Sequence, residues 1–391
     1  MSTLKVDAIR HNSATSDAIT TAADGTCTAK ITGRTGGGGL SNRNLIINGA
    51  MQIAQRGTSS TASGHGSVDR FAVYHSTDDA PTHSQSDVGL SDLPFTEQGI
   101  TKCLKVTNGN QSGAGNAEYV EINYKCEAQD IRNSGWNYQS SSSFITLSYY
   151  VRSSVAQTYT AWITNRDGTR KNFVWTYALS ANTWTKITKV IPGDSNLTID
   201  NDNGPAFELW LQMYYGTNYT QASPPGNNTG SWVNHDNQTV EDNTTTWYLT
   251  NDATFELTGV QLEVGNHATS FEHRSFGEEL NRCQRYYQQF VGLSDQVALG
   301  FGRSNGTTVA EFNVPLSVPL AKSPTLNACS WAVFTATNQS NSASQTPAVR
   351  KWDPYSNMLG CALSGMSGMT NARTLTVYLN SSHTFSMNAE L

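Results

Sequence analysis

Between Gly216 and Trp247 the sequence reads GTNYTQASPPGNNTGSWVNHDNQTVEDNTTTW, which gathers Tyr219, Trp232, Asn234, His235 and Asp236 in one stretch with little periodicity. These residue types suit sugar binding. A flat aromatic face stacks on the apolar face of a pyranose, while Asn, His and Asp hydrogen-bond its hydroxyls. Stretches this long without regular structure are uncommon in compact domains and are usually functional. The five residues are therefore candidate ligand contacts, with contact to a neighbouring chain as the competing use. Trp352 and Tyr355, between Pro347 and Gly360, form a second candidate pair. Trp162, Trp175, Trp184 and Trp210 fall in strand-like runs, where core packing or cover of a sheet surface is expected.

Other chemistries find little support. Cys27, Cys103, Cys126, Cys283, Cys329 and Cys361 form no CxxC pair, and no HxH or HExxH occurs, so a zinc site is not indicated. Scattered cysteines of this kind act as small buried hydrophobes. No GxSxG elbow or Cys/His spacing marks a nucleophile, and the repeats of β-helical polysaccharide-cleaving proteins are missing. Asp69 and Arg70 read as a structural ion pair opening a strand, and Glu278 with Glu279 as the favourable acidic start of a helix. Two carboxylates placed for glycoside cleavage are a spatial arrangement that spacing does not reveal. The expectation is a non-enzymatic protein with no cofactor and no metal.

Composition narrows the partners. Charged residues are 14% of the 391, and Ser, Thr, Asn and Gln together exceed a third, so the surface is polar but mostly uncharged. With 25 basic against 31 acidic residues the net charge is −6, which lacks the positive field that nucleic-acid binding requires. The start, MSTLKVDAIRHNS, has no apolar signal core, and no apolar run approaches the roughly 20 residues that cross a bilayer. No membrane insertion is expected, and synthesis in a cytoplasm is.

The elements that must position the candidates are strands. In FITLSYYV, Ile145, Leu147, Tyr149 and Val151 alternate with polar neighbours, as do Tyr159, Ala161 and Ile163, and Phe207, Leu209, Leu211 and Met213. In FELTGVQLEV the apolar phase slips at Thr258 and Gly259, the mark of a bulge. Ser275 and Glu278 make a capping box for a helix whose buried face would hold Phe276, Leu280, Cys283 and Tyr287. Beyond Gly292, strand-like pieces resume at Val297 to Phe301, Trp331 to Phe334 and Leu375 to Leu379. The first forty residues space Leu4, Val6, Ile9, Ile19 and Ile31 too widely to enclose a core, so partner chains are expected to order them. Gly36 to Gly39 reads as a hinge. The expected class is all-β: an extended segment 1–40, a jelly-roll or β-sandwich domain 41–273, a linking helix 274–291, and a smaller β domain 292–391.

Three segments carry a resemblance: MSTLKVDAIRHNSATSDAITTAADGTCTAKI; NLIINGAMQIAQRGTS with Asp69–Phe71 after it; and FELTGVQLEVGNHATSFEHRSFGEELNRCQRYYQ. Together they resemble tail-fibre proteins of tailed bacteriophages, particularly those of aquatic phages that infect cyanobacteria. The resemblance implies a virion protein of the tail, assembled in the host cytoplasm as a homotrimer. It implies an N-terminal segment that docks on tail adaptor, nozzle or baseplate proteins, with Leu4, Val6, Ile9, Ile19 and Ile31 as attachment residues. It also implies a distal domain that meets a host surface polysaccharide or other receptor, by multivalent binding. An adaptor that holds another fibre and a glycan-cleaving tailspike are the alternatives. Asn44 to Gly49 and Val260 to Val264 further resemble the opening and closing strands of jelly-roll carbohydrate-binding modules, a likeness of fold rather than of site.

Overall fold

The computed structural model describes residues 6, 8–9, 19–21, 27–29, 42–242, 246–292, 297–335, 339–367 and 369–391. Short strands Ala8–Ile9, Ile19–Thr21 and Cys27–Ala29 pair antiparallel with one another, so these pieces of the leader find partners inside the chain. This corrects the expectation that their pairing needs other copies: two antiparallel ladders satisfy their backbone groups locally. Val6 and Ile9 are exposed on this piece and Ile19 is half-buried. Leu4, Ile31 and the glycine run lie outside the described residues.

From residue 42 the alternation in the sequence becomes a β-sandwich. The front sheet runs Trp232–Asn234, Lys171–Leu179, Gln157–Asn165, Pro205–Tyr215, Tyr119–Glu127 and Phe71–Ser76, antiparallel throughout. The back sheet runs Thr185–Pro192, Phe144–Ser153, Thr254–Val264, Lys102–Thr107, Thr82–Asp87 and Ser59–Ser60. The three apolar sets read from the alternation are all at most 2% exposed in the core between the sheets. The slip at Gly259 is a bulge: pairing shifts between Thr258 and Gln261, and Gly259 takes φ 61°. Phe255, Leu257, Val260 and Leu262 consequently all reach the same core. Asn44 to Gly49 runs beside that strand, joined by Leu45 N to Leu262 O and Val260 N to Gly49 O.

Helix Phe276–Gln284 starts where Ser275 accepts from the Glu278 backbone N–H at 3.3 Å. Leu280 and Cys283 pack with Ile47, Ile53, Tyr286 and Ala321. Phe276 does not join them; it overhangs in the first turn and is 64% exposed. The helix also ends earlier than expected. Tyr287–Val291 is a strand paired with Thr384–Asn388, because its aromatic and β-branched residues suit a pleated surface and a partner arrives from far along the chain. Together with Thr325–Leu326 these form a three-stranded sheet, packed over the seven-stranded sheet of the second β unit.

The two units are pinned by a buried ionic cluster. Arg70 pairs with Glu390 rather than with its neighbour Asp69. Arg56 lies 3.3 Å from Glu390 and 3.7 Å from Asp69, and His65 lies 3.7 Å from Glu390. The Arg70 guanidinium sits 3.4 Å from the Tyr286 ring centre, and Arg56 sits 3.8 Å from that of Tyr287. Cys103, Cys126, Cys283, Cys329 and Cys361 are buried free thiols. Among the described residues no helix is long and apolar enough to cross a membrane.

Candidate glycan groove

Strand alternation sends one residue set into the core and the other onto the outer face of the front sheet. Trp162 and Trp210 are out of phase with Tyr159, Ala161 and Ile163 and with Phe207, Leu209 and Leu211, so both leave the core. Register places them directly opposite one another. Their rings stack at 6.1 Å with an interplanar angle of 14°. Tyr74, on the edge strand, continues the strip with its ring 6.4 Å from Trp210. Trp210 and the edge of the buried Trp162, 5% exposed, lie at the floor of a groove of about 310 Å³, and Tyr74 stands outside it.

One side of the groove carries Glu121, Tyr215 and Tyr219, and the other carries Thr164, Glu208 and Arg166. The Tyr215 hydroxyl donates to Glu121. Burial pushes the Glu121 carboxyl up to about 8; the Tyr215 bond opposes this and the Glu208 charge adds to it. Glu121 is therefore protonated at neutral pH. Glu208 sits between Arg166 at 3.4 Å and Lys125 at 3.8 Å. Among the described residues no three potential metal ligands cluster.

The end of the groove is built by the stretch singled out in the sequence. Trp232 turns inward: it is 7% exposed, packs against Phe173 and Phe207 at 5.5 and 5.8 Å, and donates from Nε1 to Pro192 O at 2.8 Å. This corrects its reading as a ligand contact. In-phase pairing with Phe173 puts Trp232 on the core face, where it anchors the segment that follows. His235, Asp236, Asn237 and Thr239 then line the groove. Asn172 ties them down, donating to Thr239 Oγ1 at 2.9 Å and accepting from Thr164 Oγ1 at 2.9 Å. His235 Nδ1 lies 3.2 Å from the same Asn172 oxygen, which places the ring proton on Nδ1. Burial, helped by Arg170 and opposed by a hydrogen bond with Asn237, lowers the His235 pKa, so the ring is neutral at neutral pH.

Of the sequence candidates, Tyr219, His235 and Asp236 meet in this groove. Asn234 stays on the edge strand opposite Lys171, one residue away from the lining. Trp352 and Tyr355 belong to the second β unit, and the structure does not bring them to the groove. Trp352 is half-buried against that unit's core, and Tyr355 is 91% exposed on a turn whose backbone N–H donates to Asp353. Trp162 and Trp210 cover the outer face of the sheet, as their strand-like runs led one to expect. Glu121, Glu208 and Arg166, which line the same groove, carried no signal in the sequence beyond their strand phase. Trp175, by contrast, is core, and Trp184 packs in a small cluster with Val88, Cys103 and Tyr150.

No family model matches the sequence, and no curated protein does. Among solved structures, similarity is found to the enzymatically active domain of bacteriophage CBA120 tailspike protein 4, at TM-score 0.30 and 7% identity, over 57% of this chain. The match spans about a fifth of that chain, 21%. A protein of Bacteroides thetaiotaomicron described as a putative sugar binding protein matches at TM-score 0.29 and 9% identity, over 57% of this chain and 100% of its own. A family 11 carbohydrate-binding module from Clostridium thermocellum, solved with a β-1,3-1,4-linked tetrasaccharide, matches at TM-score 0.25 and 11% identity, over 55% and 98%.

Proposed function

We propose that this chain is a non-enzymatic phage tail-fibre protein that holds a host-surface glycan in the front-sheet groove and attaches to the virion through residues 1–40. The observation that carries the glycan reading is the half-buried Trp210 ring on the outer face of a sheet, backed by the buried Trp162 and flanked by carboxyl, hydroxyl and amide groups. The tail-fibre assignment rests on the three motif segments of the sequence. Weak sites at about millimolar Kd supply only about 4 kcal/mol each, and a trimer multiplies them by avidity.

Binding is favoured over cleavage by how the two carboxyls are engaged: Glu121 accepts from the Tyr215 hydroxyl, and Glu208 lies 3.4 Å from Arg166 and 3.8 Å from Lys125.

Purified full-length protein is applied to host cells with wild-type and Trp210→Ala chains. Loss of one stacking face costs about 1.4 kcal/mol, so affinity per site falls roughly tenfold, measured well below the melting temperature of the variant, which lost packing on Trp162 and Tyr74 lowers. Equal binding by the variant sinks the groove as the receptor site. An adaptor would instead bind a second virion protein and no cells, and a tailspike would release sugars. Removing residues 1–40 is expected to spare cell binding and abolish incorporation into particles; continued incorporation, or a monomer by sedimentation, contradicts the attachment and trimer readings respectively.

A further inference from the structure

The second unit carries a groove of its own on the solvent face of its seven-stranded sheet. Four strands run side by side there, in the order Val297–Asn305, Val309–Pro315, Met358–Leu363 and Ala348–Lys351, the last of them at the edge. A bulge between Ala298 and Gly300 shifts the phase of the first, so Gly300 and Gly302 stand opposite the buried Val377 and Leu375 while Phe301 and Arg303 turn outward. Register then lays one row across the four strands: Phe301, Asn313, Gly360 and Lys351. Gly360 has no side chain to fill the middle of that row, and a Cβ there would come within 3.2 Å of the Lys351 Cβ. Over it opens a groove of about 590 Å³ whose charged lining is Arg303, Arg350 and Lys351 against the one carboxylate of Glu311.

Glu311 is already engaged. It lies 3.3 Å from Arg303 and accepts from the Asn305 amide at 2.9 Å; that amide first, then Arg303 and the charge of Arg350, hold its carboxyl below the ordinary value. The next acid along the chain from Lys351, Asp353, lies outside the lining and accepts from the Tyr355 backbone N–H at 2.8 Å. Arg350 and Lys351 are exposed, and among the described residues neither makes an ion pair. Three cations less one carboxylate leave a surplus of two positive charges in this groove, on a chain whose net charge is −6. We propose that the groove binds a carboxylate-bearing sugar, a uronic acid unit of a surface polysaccharide, with Arg350 and Lys351 on its carboxylate. Both cations can make charge-assisted hydrogen bonds to such a group. The exposed Asn313 amide beside Gly360 suits the sugar hydroxyls, and the Phe301 ring, 71% exposed and directly across the ladder from Asn313, suits the apolar face. Nucleic acid binds through a longer track of cations than this groove holds. The site is separate from the groove of the first unit and does not depend on what that groove holds.

Full-length protein is titrated with polygalacturonate and alginate, both uronate polymers, and with neutral dextran and polyglutamate. At least one uronate polymer is expected to bind, dextran and polyglutamate not, and the binding to weaken at about 1 M salt, where the screening length is about 3 Å. Arg350→Gln and Lys351→Gln are each expected to weaken it roughly tenfold. Both side chains are exposed and break no ion pair, so the variants fold. Lys186→Gln, which removes the same charge from the first unit, is expected to leave binding unchanged. No binding to either uronate polymer, or equal binding to polyglutamate, overturns the sugar assignment. Binding that survives both substitutions overturns the site, and leaves the proposed function standing where Trp210→Ala abolishes it. Uronate binding that depends on Arg350 and Lys351, beside host-cell binding indifferent to Trp210→Ala, upholds this site and sinks the other groove.

Discussion

Glu390→Gln tests what holds the two β units together. The glutamine keeps the shape and an acceptor oxygen for Arg70 but removes the charge that Arg56 and Arg70 surround. Glu390 and Arg70 are 7% and 1% exposed, and breaking a buried pair from one side costs about 3 to 5 kcal/mol. The carboxyl itself gives a second figure. Burial opposes its ionisation, but His65, Arg70 and Arg56 outweigh burial and hold it at about 2 against an ordinary 4.5. That depression corresponds to about 3 kcal/mol. His65 is pushed down to about 4 by burial and is uncharged at neutral pH, so the guanidinium groups carry the compensation. The sign follows: with the folded value below the unfolded one, the stabilisation is complete above about pH 4.5 and disappears as pH falls toward 2. Chemical denaturation of full-length wild type and variant is expected to show a gap of about 3 kcal/mol near pH 7 and pH 5 that narrows near pH 3.5. A gap below about 0.5 kcal/mol near neutrality, or one that is the same at all three pH values, would refute the clasp.

Two neighbours in the cluster titrate with opposite signs. His65, with its folded value lowered, loses stability as pH falls from 6.5 to about 4, while Asp69, raised by burial to about 6, regains it over much the same range. Trp232→Ala removes a ring wedged between Phe173 and Phe207 and is expected to cost about 3 to 5 kcal/mol; it also frees residues 233–242 to proteases, and a protease-resistant variant contradicts its anchoring role. Glycan affinity is expected to fall as pH rises past about 8, because Glu121 then ionises beside Glu208 and loses its O–H donor. Glu121→Gln should flatten that profile in a titration of binding against pH, and an unchanged profile would place the effect elsewhere.

Local features were legible because their causes are local. Gly259 is the residue that tolerates φ 61°, where an added Cβ would come within 2.9 Å of Ile100 and Tyr150 side chains, and the slipped apolar phase around it could mean little else. Ser275 and Glu278 likewise announce a helix start from four consecutive residues. The candidate stretch from Tyr219 to Asp236 was legible in part. Its composition marked the segment, but which side chains face a ligand depends on the strand Trp232–Asn234 docking against Phe173, and that contact turned the most conspicuous residue inward.

Alternation along each segment settled which residues could share a face, because a pleated strand points successive side chains to opposite sides whatever it pairs with. Pairing itself is a matter of register between distant segments, and a one-residue slip reverses every face. Only the assembled sheet sets Trp162 against Trp210, brings Glu121 under Tyr215, and packs Val240 on Trp162. The Arg70–Glu390 pair spans 320 positions of sequence, so the charge partner of Arg70 was decided by how the second unit docks and not by the aspartate beside it.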